Sequence, residues 1–313
     1  MNRRQFTRIA ALTGIGLYFN QSNAIAAAER PQVAITMDDF NWAGNSVKLT
    51  ASERNEAILS TLRSRSLKAA LLVRGSNIDN EQGMSLLQAW NKAGHLIGNH
   101  SYSHWYFHSA KITSEAFKND ILRCEELLKS FSGFRKFFRF PYLKEGETSV
   151  KRDAIRAFLE QHGYRNGHVT IDASDWIVDE RLRKRLTKEP TADPSPYRRF
   201  YIAHMWDRAQ YYDSLSQKVL GRRVKHTILV HFNLLNALFL GDLIDMFKSK
   251  GWRVIDAEQA FTDSVFTLQP KIVPAGESLI WALAKETGRF EKLLRYPGED
   301  GEYETAKMDK LGL

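Results

Sequence analysis

Hydrophobic and polar positions follow two alternating periods along this 313-residue chain. Short runs of apolar and β-branched residues predict strands at 33–37, 69–73, 95–98, 136–140, 168–171, 227–231 and 252–255. Apolar residues at helical spacing predict intervening helices at about 50–65, 81–92, 114–131 and 149–162. Seven strands that alternate with helices indicate an α/β fold with a mainly parallel sheet, either closed as a barrel or open and doubly wound.

Two stretches interrupt this alternation. Residues 177–226 form an insertion before the last-but-one predicted strand, with a highly charged run at 179–189 and a helical pattern at 199–220. A connection of this length usually has structure of its own and lies over a site. The C-terminal extension, 266–313, contains one predicted helix at 277–284, and the sequence assigns it no role.

Unusual polar residues stand at the ends of five predicted strands. They are Asp38 and Asp39 after the first strand, His100 after the third, Arg139 at the end of the fourth, residues 172–176 after the fifth and His231 at the end of the sixth. In parallel α/β folds the ligand site lies outside the carboxyl ends of the strands. The sequence therefore predicts one site built from these five strand ends.

His100 and His104 have the spacing of a metal site. Imidazoles four residues apart share a face on one helical turn, and the pair Asp38-Asp39 offers a third, anionic ligand. Two imidazoles and one carboxylate suit zinc, with cobalt, nickel and manganese as alternatives. Asp38 and Asp39 point to opposite sides of an extended segment, so the carboxylate that does not hold the metal is left free to act as a general base. Packed, hydrogen-bonded histidines and an N-capping aspartate pair remain open as alternatives to a metal centre.

Five segments resemble the five motifs of one enzyme family, in that family's order. They are residues 36–39 (TMDD), 100–104 (HSYSH), 139–142 (RFPY), 172–176 (DASDW) and 229–231 (LVH). The family is that of the polysaccharide deacetylases, carbohydrate esterase family four, whose domain is also called the NodB homology domain. The resemblance covers about residues 33–260. It implies a distorted (β/α) barrel, often with seven strands, and metal-dependent removal of acetyl groups from sugar polymers.

The resemblance also implies a role for each site residue. Asp39, His100 and His104 would hold a divalent metal, which would polarise the acetyl carbonyl and lower the pKa of water. Asp38 would be the general base, and Arg139 would pair with it and orient it. The alternative for Arg139 is a surface ion pair.

The leaving-group side of the site follows from the same resemblance. His231 would be the general acid, with Asp175 tuning its charge. The backbone N–H of Tyr142 would help the metal to hold the oxyanion, and Trp176 would line the acetyl pocket. As structural residues instead, Asp175 would belong to a turn and His231 would be a buried strand histidine.

Three positions depart from the family's pattern. Phe40 follows the paired aspartates, where the family commonly has glycine, and Met37 precedes them, where it commonly has an aromatic residue. Asn233 stands close to where an acidic residue often follows the histidine. These differences predict a differently shaped groove beside the base and different surroundings for the acid.

The N-terminus and the charge bear on where the protein works. Arg3, Arg4 and Arg8, an apolar run at 9–19 and small residues at 24–28 have the layout of a twin-arginine export signal, which predicts a periplasmic protein. Formal charge is +9, and without those three arginines 42 basic and 36 acidic residues leave +6. No basic cluster with interleaved aromatic residues suggests nucleic acid, and no later segment is apolar enough to span a membrane.

We therefore divide the chain into a signal peptide at 1–28, a deacetylase domain at 29–265 and the extension at 266–313. The predicted function is metal-dependent removal of N-acetyl groups from an amino-sugar polymer or oligosaccharide. The rivals are an O-acetyl esterase of the xylan type or another amide hydrolase on the same fold, and a non-catalytic carbohydrate-binding protein. The sequence leaves the polymer, the preferred chain length and the oligomeric state open.

Overall fold

The computed structural model describes residues 30–43 and 47–313. The strands are β1 (Gln32–Asp39), β2 (Ala70–Val73), β3 (Leu96–Asn99), β4 (Phe134–Phe138), β5 (Lys144–Gly146), β6 (Arg165–Asn166), β7 (Lys225–His231), β8 (Arg253–Val254) and β9 (Ala275–Gly276). The α-helices are α1 (Ala51–Ser64), α2 (Glu81–Lys92), α3 (Ser114–Leu128), α4 (Ser149–Gln161), α5 (Asp175–Lys188), α6 (Ser195–Leu220), α7 (Leu234–Ser249), α8 (Ala257–Ala260), α9 (Leu279–Thr287) and α10 (Glu302–Asp309). Short 3₁₀ helices occupy Gly75–Asn77, Pro141–Leu143, Ser264–Thr267 and Glu291–Leu293. The predicted export signal lies outside the described residues.

Seven strands form one parallel sheet in the order β6-β4-β3-β2-β1-β7, with β8 also paired to β1. The chain just beyond β6 reaches the opposite edge of this sheet, because Ile171 forms a parallel bridge with Ile228 of β7. A single segment therefore touches both edges and curls the sheet into a distorted barrel. The predicted (β/α) barrel of about seven parallel strands is confirmed.

The central strand β1 explains why the core lies where it does. From Val33 to Met37 its side chains are at most 2% exposed on either face, as expected for a parallel strand with cover on both sides.

Helix α1 begins with the capping box that the sequence predicts. The Thr50 N–H donates to the Glu53 carboxylate at 2.8 Å, and the Glu53 N–H donates to Thr50 Oγ1 at 3.2 Å.

The strand predicted at 168–171 is not a regular strand. Side-chain hydroxyls make hydrogen bonds that a ladder would otherwise make: the Thr227 N–H donates to Thr170 Oγ1 at 2.8 Å, and Thr227 Oγ1 donates to the His168 carbonyl at 2.8 Å. Because these bonds pull the chain out of register, only the bridge at Ile171 remains. The segment still closes the barrel.

The insertion and the extension both pack onto the barrel. The charged run at 179–189 lies largely in α5, whose surface carries ion pairs four residues apart, such as Lys184 with Glu180 at 2.5 Å. In the extension, β9 pairs antiparallel with β5, and α9 packs against α6. The predicted helix at 277–284 is confirmed as α9, shifted by two to three residues. Among the described residues, no helix has the length and apolar character needed to cross a bilayer.

Candidate active site

The carboxyl ends of the strands meet around a cavity of about 420 Å³. Its lining includes Asp38, Asp39, His100, His104, Tyr142, Asp172, Trp176, His231 and Glu299. Arg139 and Asp175 are almost fully buried behind this lining, where they contact Asp38 and His231. The fold therefore brings together every site residue that the sequence predicts at separate strand ends.

Asp39, His100 and His104 form a compact cluster. Their ligand atoms all lie within 4.8 Å of one another. Oδ1 of Asp39 is 3.4 Å from Nε2 of His100 and 3.1 Å from Nε2 of His104. This carboxylate oxygen is buried, and it has no hydrogen-bond partner among the described residues. Buried polar atoms normally have a hydrogen-bond partner. The cluster therefore has the ligand atoms of a cation site and a buried carboxylate oxygen that a cation would satisfy.

The ring nitrogen of His100 that faces away from Asp39 is hydrogen-bonded to the backbone. Its Nδ1 lies 2.8 Å from the Arg139 carbonyl oxygen. A carbonyl can only accept, so Nδ1 carries the proton, and in the neutral imidazole the lone pair of Nε2 points at the Asp39 carboxylate. Two electron-rich atoms that face each other in a buried site repel, and either a proton on Nε2 or a bound cation between them relieves that repulsion. A divalent metal fits these residues.

The loop that carries both histidines is not the helical turn that their spacing suggests. Ser101 and His104 have positive φ angles of 62° and 59°, and these two left-handed residues fold the loop so that the imidazole rings lie 4.9 Å apart. Asp120 of α3 holds the loop from below, because it accepts hydrogen bonds from the N–H groups of Tyr102 and Ser103 at 3.0 and 2.9 Å. The two histidines do lie side by side, as their spacing predicts, but the helical turn predicted between them was wrong.

Asp38 and Asp39 do not point to opposite sides as an extended strand would place them. Asp39 has φ of 75°, and the Phe40 N–H donates to the Asp38 carbonyl at 3.0 Å, which is the geometry of a tight γ-turn. This turn brings the Asp38 carboxylate to 3.8 Å from Nε2 of His100, beside Asp39. The prediction of opposed side chains was wrong because the strand ends at Asp39.

Arg139 pairs with Asp38 as predicted. Its Nη1 donates to Oδ1 of Asp38 at 2.6 Å and to Oγ1 of Thr36 at 3.0 Å, and its Nε donates to the Gly167 carbonyl at 2.7 Å. The Arg139 side chain is 1% exposed, so it is not a surface ion-pair partner. A buried arginine with three fixed acceptors holds the Asp38 carboxylate in one orientation.

His231 and Asp175 form the second predicted pair. Nδ1 of His231 lies 2.7 Å from Oδ1 of Asp175, and the His231 N–H donates to Oδ2 at 2.9 Å. Burial lowers the pKa of His231, but Asp175 and the nearby Asp39 and Asp38 outweigh it and raise the pKa to about 10. Asn233, at the position where an acidic residue was expected, donates to Asp175 at 3.1 Å and caps α7.

The pKa of Asp39 is shifted in the opposite direction to that of His231. Burial raises the pKa of Asp39, whereas the imidazoles of His100 and His104 and the charge at His231 lower it, and the result is a pKa well below the usual range. Asp39 is therefore an anion at neutral pH. An anionic carboxylate is the state that a metal ligand requires.

The two aromatic residues of the site differ in exposure. Tyr142 is 47% exposed, has φ of 56°, and its ring lies 4.7 Å from that of His104. Trp176 is half-buried in the first turn of α5, and its Nε1–H donates to the Gly298 carbonyl at 3.1 Å. Tyr142 and Trp176 thus stand in the cavity lining, as the sequence predicts.

Sequence reasoning missed the extension's contribution to the cavity. Gly298 and Glu299 lie in its wall, and the Gly298 N–H donates to Oδ2 of Asp172 at 2.5 Å. Burial, with the neighbouring charge of Glu299, raises the pKa of Asp172 to about 6. No periodicity or motif in the last fifty residues signals this contact, because it depends on how two distant segments pack.

Fold and cluster together define a distorted α/β barrel with a candidate metal centre at the carboxyl ends of its strands. The chain is also similar to known proteins of one family: the sequence profile described as "Polysaccharide deacetylase" matches residues 26–167. That match contains the first three of the five motifs. The predicted resemblance to the polysaccharide deacetylase family is therefore confirmed.

A curated relative is a deacetylase by name, and two solved structures share the fold. The peptidoglycan-N-acetylglucosamine deacetylase of Bacillus cereus is 29% identical over 148 residues, 47% of this chain and 47% of that protein, so the match spans about half the relative's length. A CE4 family pseudoenzyme from Bacillus anthracis is 15% identical with a TM-score of 0.50, covering 74% of this chain and 66% of that chain. A CE4 family pseudoenzyme mutant with restored enzymatic activity is 17% identical with a TM-score of 0.51, covering 74% and 68%. At these identities the two structures show the fold.

Proposed function

We propose that this protein is a metal-dependent deacetylase that removes N-acetyl groups from an amino-sugar polymer or oligomer. The observation that carries the proposal is the buried Asp39 oxygen that faces two imidazole nitrogens, next to a carboxylate that an arginine holds in place. Hydrolysis of an acetyl amide needs an activated water, a stabilised oxyanion and a proton for the leaving amine. The cavity offers a separate group for each task.

Asp39, His100 and His104 would hold the metal, with zinc preferred and cobalt, nickel or manganese as alternatives. When bound, such an ion supplies Lewis acidity for the acetyl carbonyl and makes water more acidic. The Arg139 carbonyl accepts a hydrogen bond from Nδ1–H of His100, which in the neutral imidazole leaves the lone pair on Nε2 for the metal. This hydrogen bond also fixes the plane of the ring.

Asp38 would act as the general base. Its carboxylate lies beside the ligand cluster, 3.8 Å from Nε2 of His100, and can take the proton of a water that attacks the acetyl carbon. Arg139 donates to only one of the two carboxylate oxygens, so the second remains available to the proton. The backbone N–H of Tyr142 would donate to the oxyanion that forms.

His231 would act as the general acid. Asp175 holds it protonated through Nδ1 and leaves Nε2–H as the donor on the cavity side. As the carbon–nitrogen bond breaks, that proton passes to the leaving nitrogen, and acetate and a free amine result. Trp176 would line the space that the acetyl methyl group occupies.

The substrate class and the compartment belong to the same proposal. The Bacillus cereus relative is a peptidoglycan-N-acetylglucosamine deacetylase, which supports an acetylated glucosamine polymer as substrate. The signal-like residues 1–28 support export to the periplasm. N-terminal sequencing of the cell-derived protein tests this, and an intact Met1 in the cytoplasmic fraction would contradict export.

A panel of acetylated polymers tests the activity. We expect the parent to release acetate from chitin oligomers, poly-N-acetylglucosamine or peptidoglycan, and the Asp38→Asn variant to release it more slowly, by about a hundredfold or more, from the same substrates. Release from acetylxylan alone would favour the O-acetyl esterase. Because this fold also occurs in a protein described as a pseudoenzyme, binding without any release would favour the carbohydrate-binding protein.

A further inference from the structure

The C-terminal extension supplies one wall of the candidate active site. Gly298 and Glu299 line the cavity together with Asp38, His100 and His231. These two residues lie more than 100 positions beyond the part of the chain that the family profile matches. A substrate bound in the cavity would therefore contact a surface that the family profile does not cover.

The wall is tied closely to the fourth motif. The Gly298 N–H donates to Oδ2 of Asp172 at 2.5 Å, and the Gly298 carbonyl accepts from Nε1 of Trp176 at 3.1 Å. A Cβ at residue 298 would come within 2.3 Å of Oδ1 of Asp172, so only glycine permits this approach. The extension therefore sets the position of Trp176, and the segment that follows Gly298 has a fixed place.

A buried arginine of the insertion holds the same segment from behind. Nη1 of Arg208 donates to the Tyr296 carbonyl at 2.9 Å, and its Nε donates to the Asp172 carbonyl at 2.8 Å. The Arg208 side chain is 1% exposed. Insertion, extension and fourth motif are therefore locked together, which makes the wall rigid.

Glu299 is the charged group that this wall presents. Its carboxylate accepts a hydrogen bond from Nζ of Lys144, which also donates to Oε1 of Glu277 at 2.5 Å. Lys144 is 8% exposed and pinned by both carboxylates, whereas the Glu299 side chain is 24% exposed, on the cavity side. The ammonium contacts one Glu299 oxygen, so acceptor capacity remains for a ligand.

We propose that Glu299 is a substrate-binding residue that accepts hydrogen bonds from hydroxyl groups of the sugar unit being deacetylated. The identity of the ligand as a sugar rests on the proposed function. A carboxylate only accepts, so it selects ligands that present donors, and hydrogen bonds to a charged acceptor are the stronger kind. Because Lys144 fixes its position before the ligand arrives, little side-chain freedom is lost on binding.

The same carboxylate discriminates against anionic groups. A substrate with a carboxylate at this place would face a like charge in a partly buried wall. Glu299 thus favours neutral, hydroxyl-rich sugar units over uronic acids. A small aryl acetate, which has no hydroxyl groups, reaches the same centre without using this contact.

The test compares Glu299→Ala, Glu299→Gln and Glu302→Ala in the full chain. Glu302 is an exposed carboxylate of the same extension that does not line the cavity, so its removal is the matched control. Calorimetry gives Kd for a chitin oligomer, and kinetics give kcat and KM for that oligomer and for an aryl acetate. For Glu299→Ala we expect Kd and KM for the oligomer to rise about tenfold or more, with kcat little changed.

The differences between substrates and between variants decide the proposal. The loss of Glu299→Ala on the oligomer should exceed its loss on the aryl acetate by about tenfold, and Glu299→Gln, which keeps an acceptor oxygen, should recover part of it. An equal loss on both substrates, with a lower melting temperature, would mean that Glu299 only holds Lys144 and would overturn the proposal. Unchanged Kd and KM would overturn it too. If the parent binds oligomers but releases no acetate, the proposed function fails, and Kd alone decides the role of Glu299.

Discussion

Arg139 connects the two halves of the candidate active site. Its carbonyl oxygen accepts a hydrogen bond from Nδ1 of His100, and its guanidinium donates to the Asp38 carboxylate. One buried residue thus orients both a candidate metal ligand and the candidate base, which fixes their positions relative to each other. His231 has a matching arrangement with Asp175 on the other side of the cavity. Each candidate catalytic group is oriented by a partner that has no contact with solvent.

Replacement of the acid or the base should abolish hydrolysis without loss of the metal. We expect Asp38→Asn and His231→Ala each to lower kcat by about a hundredfold or more, because proton transfer occurs only in the transition state. Neither residue is in the ligand set, so metal content should match that of the parent. Acetate release and elemental analysis on the same preparations measure both.

His162→Ala serves as the control for these variants. This histidine bonds to a carbonyl of its own helix and does not line the cavity, so its loss should leave kcat unchanged. Parent-like kcat in either Asp38→Asn or His231→Ala would remove that residue from its proposed role.

The sequence predicts which residues form the site better than it predicts their backbone conformation. Residue types and strand-end positions identify Asp38, Asp39 and His231, because parallel strands must share one carboxyl edge. The positive φ at Asp39, which turns both carboxylates toward His100, has no signal in the sequence. Non-glycine residues rarely adopt this conformation, and its cost is met by the surrounding packing.

Helix α3 helps to hold the loop that carries the two candidate metal ligands. Asp120 accepts from the N–H groups of Tyr102 and Ser103, and its Oδ1 accepts from Oγ of Ser103 at 2.7 Å. Other hydrogen bonds support the loop as well, such as that from the His104 N–H to Oγ of Ser101 at 3.0 Å. Without Asp120 the two left-handed residues of the loop lose part of the support that maintains their conformation.

Asp120→Ala should weaken metal binding while leaving all three ligands in the chain. We expect metal affinity to fall about 10- to 100-fold, the usual cost of removing a group that orients a ligand. Titration with a chromophoric chelator measures it, and Glu126→Ala on the exposed face of α3 is the control. An Asp120→Ala protein with parent affinity would show that the loop keeps its shape without this carboxylate.

Element boundaries follow the sequence where local chemistry sets them. Residues 81–92 form α2 as predicted, since Asn80 caps the helix and the apolar face is regular. The highly charged run at 179–189 lies largely in α5, because Val178, Leu182 and Leu186 recur every four residues and are buried. The helix is therefore encoded by a narrow apolar stripe within an otherwise charged segment.

Over the whole molecule, buried neutral histidines couple stability to pH. Burial lowers the pKa of His95, His168 and His204 to about 4 each, whereas an unfolded chain titrates near 6.5. As pH falls below 6.5 the unfolded chain takes up protons first, so the stability contributed by each histidine is lost between about 6.5 and 4. Glu277, with a pKa raised to about 8, acts in the opposite direction.

His168→Gln isolates one of these contributions. Between pH 7 and pH 5 we expect the parent to lose about 2 kcal/mol more unfolding free energy than the variant does, because the glutamine does not titrate. Urea unfolding at the two pH values measures the difference. An equal loss in both proteins would mean that His168 is protonated in the folded state as well.

The role of the extension belongs to the whole molecule and lies beyond sequence reasoning. Residues 296–301 have no motif, and their place beside Asp172 depends on contacts between segments about 125 residues apart. A helix such as α9 is predictable because its period is local. The wall that Glu299 forms is not, since it exists only once α6, α9 and the fourth motif have packed together.

Metal dependence of acetate release is the central claim and the most direct test. Protein stripped with a chelator should release no acetate from chitin oligomers, and it should regain the parent rate when about one equivalent of zinc per chain is added. The His100→Ala/His104→Ala double variant should bind no zinc. Full activity of the stripped protein, or stoichiometric zinc in the double variant, would contradict the account.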